Sequence, residues 1–454
     1  MSDVADESYI ASLLNDRTNG DGHERTTSFA PNHRAGDNAN TAALLAAKSI
    51  TVALAECLAT FHRWLELPDD DVVLVALGAV AANLTAGDPL WLLVVGPPGS
   101  GKTEAIAPID VLSYVHAAAT LTEAGLLSGS PQRDRAKDAK GGLLRTVGDF
   151  GIILAKDFTS VLTMNRDARA AVMSALREVY DGSWTRHLGA DGGKTLHWTG
   201  KCGVIGAVTP TIDRHHAVMG ALGERFVFYR IHVGDPKAQA RRRMRNRGKE
   251  RRMRGELHDV VGVVLDRVAF DADPRDLTDD EIDEMVNLAT FVVTCRTAVE
   301  RDQYTRDVEV MPEAEAPGRL VAALGALHAG IEAIGAPSTD AWRIVTKVAW
   351  DCIPATRSAV LLALGKEAPC KVGTIIAFTG MPRTTADRQL EDLELLGLVS
   401  KDRETDKAPW VYDLTPVARE LWPTKSSPGM FITTTLYSTE PYEEEHSGGT
   451  LDGF

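Results

Sequence analysis

The feature that most restricts what this chain can fold into is the run Gly96-Pro97-Pro98-Gly99-Ser100-Gly101-Lys102-Thr103, which fits the pattern G-x-x-x-x-G-K-[ST]. Its flanks matter as much as its letters. The apolar stretch Trp91 to Val95 before it reads as a buried strand, and Glu104 to Leu112 after it reads as a helix. A phosphate chain needs several N–H donors converging on one point, and glycines let the backbone wrap that closely. The following helix offers free N–H groups and the positive end of its dipole to the anion. Lys102 supplies a point charge to the outer phosphates, and Thr103 a hydroxyl for magnesium.

Further strands are expected at Ile152 to Ala155, Gly203 to Val208 and Phe226 to Ile231, alternating with helices as far as about Val233. That alternation predicts a parallel α/β sheet. Ahead of it, Thr41 to Leu67 and Asp69 to Ala86 read as helices; beyond it, Lys237 to Asn287 opens very basic and turns helical, and Arg296 to Ala333 continues helical. The expected organisation is a polar, disordered segment over 1–40 and an α/β core with its preceding helices over 41–235. A basic segment and helical lid over 236–340, a winged helix-turn-helix over 341–423 and an acidic tail over 424–454 complete it. A chain of 454 residues suits two or three domains.

Composition removes whole classes. Hydrophobic residues make up 44% and charged ones 25%, the mix of a soluble globular protein. A formal net charge of −14 excludes attachment to nucleic acid through the overall field, so any such contact must come from local patches. The longest apolar runs fall short of the roughly 20 residues that a membrane span needs. The polar N-terminus does not read as a secretory signal. The five cysteines (Cys57, Cys202, Cys295, Cys352, Cys370) lie far apart, which predicts neither a disulfide scaffold nor a zinc site and suits a cytoplasmic protein.

Several other residues carry candidate chemistry. The run Ile152-Ile153-Leu154-Ala155-Lys156-Asp157-Phe158 is a strand ending in a carboxylate. Asp157 can hold magnesium or orient attacking water, or be a plain surface Asp. Thr209, at the end of the strand Gly203 to Val208, can bond the terminal phosphate, or be structural. Arg225, just ahead of Phe226, can stay on the surface and reach a neighbouring subunit's nucleotide, stabilising charge on the transferring phosphoryl, or be an ordinary surface charge. Between Lys237 and Arg254 stand ten positive charges, Arg241, Arg242 and Arg243 among them, against Glu250. Such a stretch grips nucleic acid or a partner, or is a solvated helix paired with the acidic remainder. Within Ala355 to Pro416, a helix (Lys371 to Phe378), a turn (Thr379-Gly380-Met381), a recognition helix (Thr384 to Leu396) and two wing strands (Leu398 to Asp402, Trp410 to Leu414) would turn Arg383, Arg388 and Gln389 to a major groove. From Cys370 to Glu420 seven basic residues face nine acidic ones, so protein docking is the other use of this module.

Taken in order, these pieces resemble an AAA+ ATPase of the branch with a hairpin before the sensor strand, and in particular the minichromosome maintenance (MCM) helicases. Their phosphate loop is similar to Gly96 to Thr103, and their acidic strand to Gly151 through Phe158. Their pre-sensor hairpin is similar to Thr185 to Lys201, with Lys194 near its tip; sensor 1 falls on Thr209 and the arginine finger on Arg225. Their sensor 2 arginine resembles Arg319 in Pro317-Gly318-Arg319-Leu320. The resemblance covers roughly residues 70 to 335, and more loosely the winged helix. It implies a P-loop AAA+ parallel sheet sandwiched by helices, a helical lid through which Arg319 contacts nucleotide, ATP and Mg2+ as ligands, and a homo-oligomeric ring, a hexamer, acting on DNA. Lys194 would grip the DNA backbone in the pore. Three departures stand out: Lys156 occupies the family's metal-binding Asp position, with Asp157 at that of the catalytic Glu; Thr209 replaces the usual Asn; and the zinc-bearing N-terminal domain has no counterpart. Two readings follow, a helicase-like ATP-driven motor and an ATP-gated winged-helix regulator with weak or no hydrolysis. Remodelling of protein partners is a third.

Overall fold

The structure, a computed structural model, describes residues 36–128, 141–188, 194–215, 225–299, 301–302, 308 and 313–423. The chain divides into two units, Met1–Ala47 and Lys48–Phe454, and the sheet and candidate site belong to the second. The acidic tail and most of the polar N-terminal segment lie outside the described residues. Gly36 to Asn40, expected to be disordered, instead begin helix α1 (Gly36–Trp64). Helix α2 (Asp71–Leu84) is buried at all fourteen positions, as a helix apolar on every side must be.

Next come strand β1 (Trp91–Val95), the phosphate-loop candidate and helix α3 (Lys102–Ile106). The helix is shorter than the sequence suggests. Pro108 has no N–H to continue the ladder, and the chain tightens into a 3-10 turn over Ala107–Val111. Strand β2 (Val115–Ala118), helices α4 (Glu123–Leu126) and α5 (Leu143–Val147) and strand β3 (Phe150–Ala155) follow. Then come α6 (Thr159–Leu162), α7 (Arg166–Tyr180), the antiparallel hairpin β4 (Ser183–Leu188) and β5 (Lys194–Thr199), β6 (Lys201–Val208) and β7 (Phe226–Arg230).

Five of these strands form one parallel sheet in the order β2-β3-β6-β1-β7. Strand β1, the loop carrier, sits between β6 and β7, with Trp91 level with Val204 and Phe226, and Val95 level with Val208 and Arg230. All five β1 residues are buried, which explains why the run shows no polar alternation. The sequence gives no sign of β2, a four-residue edge strand without an apolar run.

Helices α8 (Pro236–Arg245), α9 (Glu250–Leu265), α10 (Asp279–Arg296), α11 (Gly318–Ala333) and α12 (Ser338–Asp351) follow the sheet. The continuous helix expected from Arg296 to Ala333 is corrected: α10 ends at Arg296 and α11 starts after Pro317. The C-terminal part contains α13 (Ala355–Glu367), β8 (Cys370–Lys371), α14 (Val372–Thr379), α15 (Arg383–Leu395), β9 (Val399–Asp402), β10 (Val411–Leu414) and α16 (Pro416–Glu420). Its strands pair antiparallel in the order β8-β10-β9. Left-handed glycines, Gly380 and Gly397, end α14 and follow α15. The five cysteines are buried and unbridged. Among the described residues no single helix is long and apolar enough to cross a membrane.

Candidate functional site

The loop after β1 is shaped by three glycines. Gly99 (φ 83°) and Gly101 (φ 87°) adopt left-handed backbone, and Gly101 caps α3. Gly96 has a packing reason: a Cβ there would lie 2.4 Å from Ile231 Cγ2 and 2.8 Å from Ser100 Oγ. The Gly96 N–H donates to the Val208 carbonyl at 3.0 Å, tying the loop to the end of β6. Pro97, Pro98 and Gly99 are exposed; Ser100 is buried, and its Oγ has no hydrogen-bond partner among the described residues. An orphaned hydroxyl inside a glycine-rich turn at a helix start fits a site that a polar ligand completes.

Lys102 Nζ donates to the Pro97 carbonyl at 3.1 Å, so its ammonium lies over the loop. Burial lowers its pKa, and the negative charge of Asp157 opposes that shift. Asp157 follows the end of β3. Its Oδ1 accepts from the Thr159 N–H at 3.0 Å, and the Thr159 hydroxyl accepts from the Thr209 N–H at 3.1 Å. Loops from three adjacent strands thus bring Lys102, Asp157 and Thr209 to one end of the sheet. Thr159 was not among the sequence candidates, although an Asp two residues before a Thr is a recognisable turn signal. Thr103 is exposed at the start of α3.

Lys156 points elsewhere. Its Nζ lies 2.7 Å from Asp110 Oδ2, and the other oxygen of Asp110 lies 3.1 Å from His258 Nε2 on α9. No local pattern foretells this cluster, because its members stand on three separate elements.

The basic stretch folds back on the loop. Arg242 pairs with Glu66 at 3.1 Å, Arg254 with Glu104 of α3 at 3.0 Å, and Arg243 Nη2 donates to the Gly99 carbonyl at 3.3 Å. Of the arginines expected on nucleic acid, Arg243 thus touches the loop and Arg242 is held by Glu66, while Arg241, Arg243, Arg245 and Arg247 are all exposed.

Two expected positions are corrected. Arg225 is buried, its side chain 4% exposed, with Nη2 at 2.9 Å from both Asp181 oxygens and its guanidinium over the Tyr180 ring. It precedes Phe226, which is level with Trp91, so the length of β1, about 13 Å at ~3.3 Å per residue, separates it from the loop of its own chain. Arg319 bonds Glu315 at 3.2 Å and acts electrostatically on the Tyr180 hydroxyl, as does Arg225. It belongs with that far end of the sheet and not with the loop. Lys194 begins β5, with its side chain outside the described residues. Arg383 and Arg388 are exposed on α15, Arg383 at 3.5 Å from Asp387.

No protein-family model matches the chain, and no curated protein does. Solved structures that match include a full-length MCM homolog from Methanopyrus kandleri, 14% identical, with a TM-score of 0.37. The match covers 71% of this chain and 62% of that one. A superposition this loose says nothing of chemistry.

Proposed function

We propose that the chain binds ATP at Gly96 to Thr103 and is a cytoplasmic AAA+ ATPase with a helical lid and a C-terminal winged helix, working on DNA as a homo-oligomeric ring. The supporting observation is the convergence of the glycine loop, Lys102, Asp157 and Thr209 at one end of a parallel sheet, on the loop's own side of β1. In this reading the loop amides and Lys102 hold the phosphates, Asp157 orients the attacking water and Thr209 contacts the terminal phosphate. Thr103 and Asp157 are the groups on hand for magnesium, which supplies charge neutralisation when bound. Among the described residues no three His, Cys, Asp or Glu side chains cluster as a metal site. That suits an ion taking most of its ligands from phosphate and water. Arg225 would serve a neighbouring subunit's nucleotide by exchanging Asp181 for phosphate. Arg319 has no part at its own chain's loop. DNA would meet Lys194, the exposed arginines beside Arg241, and Arg383 and Arg388 of α15.

The test is ATP binding and turnover, with and without single-stranded and duplex DNA. Lys102→Ala is expected to abolish nucleotide binding, and Arg225→Ala to keep binding while losing DNA-stimulated hydrolysis. Unchanged binding by the Lys102 variant would remove the site. Lys156, which stands where the resembled family has a metal-binding Asp and is engaged by Asp110, favours a second reading, an ATP-gated winged-helix regulator, since a switch tolerates slow turnover. Sustained strand displacement speaks for the motor; nucleotide-dependent binding to a DNA site without unwinding speaks for the regulator.

A further inference from the structure

We propose that Arg243 is a nucleotide-contacting residue of the same chain, a cation that the phosphates of bound ATP draw from the Gly99 carbonyl. The inference rests on the ATP-binding reading above. Helix α8 has no buried residue, yet it lies across the phosphate loop. Cavities of about 300 Å³ and about 310 Å³ are both lined by Gly99, Ser100, Gln239 and Arg243. Arg243 thus borders both spaces.

Its bonding is incomplete. The neighbouring cations Arg242, Arg252 and Arg254 have carboxylates in Glu66, Glu256 and Glu104. Arg243 has a single carbonyl at 3.3 Å, and among the described residues no carboxylate pairs with it. A guanidinium carries five N–H donors in a fork that matches phosphate oxygens two at a time. Here it is held on the Gly99 carbonyl, two residues ahead of the N-cap of α3. A phosphate chain is the anion this loop is built to take, and the α8 fork then closes on it from outside. Nucleotide binding would consequently fix α8, and with it the exposed arginines that follow Arg243.

Titration with a fluorescent ATP analogue, with ATP, ADP and adenosine as competitors, tests this on the full chain. Arg243→Ala is expected to weaken ATP binding at least tenfold, the size of one lost charge-assisted contact, with adenosine competing as it does against wild type. Arg243→Lys should recover part of the loss, and the melting temperature without nucleotide should not move. Trypsin provides a second readout. ATP should protect the Arg241 to Arg247 stretch in wild type and fail to protect it in Arg243→Ala. If Arg243→Ala binds ATP as wild type does while Lys102→Ala does not, the inference is wrong and the ATP site stands. If wild type fails to bind ATP, both fall.

Discussion

At the scale of single residues, the candidate site depends on side chains that are missing as much as on those present. Gly96 packs so closely under Ile231 and Ser100 that any Cβ must push one of these side chains aside. Gly96→Ala is expected to cost about 1–3 kcal/mol through overpacking and to remove nucleotide binding. A thermal melt and a nucleotide titration on one sample check both effects. Loss of stability with normal binding would mean that the loop is not the site. The chemistry of the loop is local, so Gly96 through Thr103 could be read from adjacent letters. The partner of Lys156 could not: Asp110 is 46 positions away, and nothing near either residue announces the other.

At the scale of elements, the closest contact is the crossing of α2 and α11. A Cβ on Gly330 would fall 2.1 Å from the Gly78 carbonyl oxygen and 2.7 Å from the Ala82 nitrogen, both backbone atoms. Gly330→Ala should therefore destabilise by about 3 kcal/mol. Gly325→Ala, on the same helix with no atom near its Cβ, should stabilise by about 0.5–1 kcal/mol through helix propensity. Denaturant melts of the two variants should move in opposite directions. On the same helix His328 is buried against Trp342, 3.7 Å from Glu332, and burial pulls its pKa below the ordinary 6.5. The native ring stays neutral while the unfolded chain takes up a proton, so its contribution is whole above about pH 6.5 and is lost as pH falls through the folded value. The melting temperature should drop between pH 7 and 5 more steeply in wild type than in His328→Asn. Equal slopes would exclude His328 as the cause. The helical spacing of both segments was legible in the sequence, but the glycine-to-glycine crossing arises only when Gly78 and Gly330, 252 positions apart, meet.

At the scale of the whole molecule, charged groups fasten the C-terminal elements to the helices before them. Asp392 of α15 is buried and accepts from Arg357 at 3.2 Å and from Arg301, while Arg357 also donates to the Cys295 and Thr297 carbonyls at 2.8 and 2.7 Å. Asp392→Ala leaves the buried Arg357 guanidinium without its carboxylate, while Arg301 keeps Glu391 at 3.0 Å, and should cost about 3–5 kcal/mol. Asp387→Ala, on an exposed pair, should cost under about 1 kcal/mol. Urea melts of both variants check this, and similar losses would refute the buried network. One carboxylate of α15, Asp392, is thus turned inward to hold the fold and adds nothing to the acidity of its surface.

The sequence by itself determined the glycine loop, its strand and helix, three further core strands and, in the C-terminal part, the helices and the paired strands β9 and β10, but not the two-residue edge strand β8. Each rests on interactions between near neighbours: backbone geometry, apolar spacing, a helix start. Tertiary structure alone decided which charges meet. It turned Lys156 toward Asp110, buried Arg225 against Asp181 and laid Arg243 on Gly99, 144 positions away. A side-chain charge has no periodicity to betray its partner, and burial far from water leaves it stable only where the fold brings an opposite group within hydrogen-bond reach.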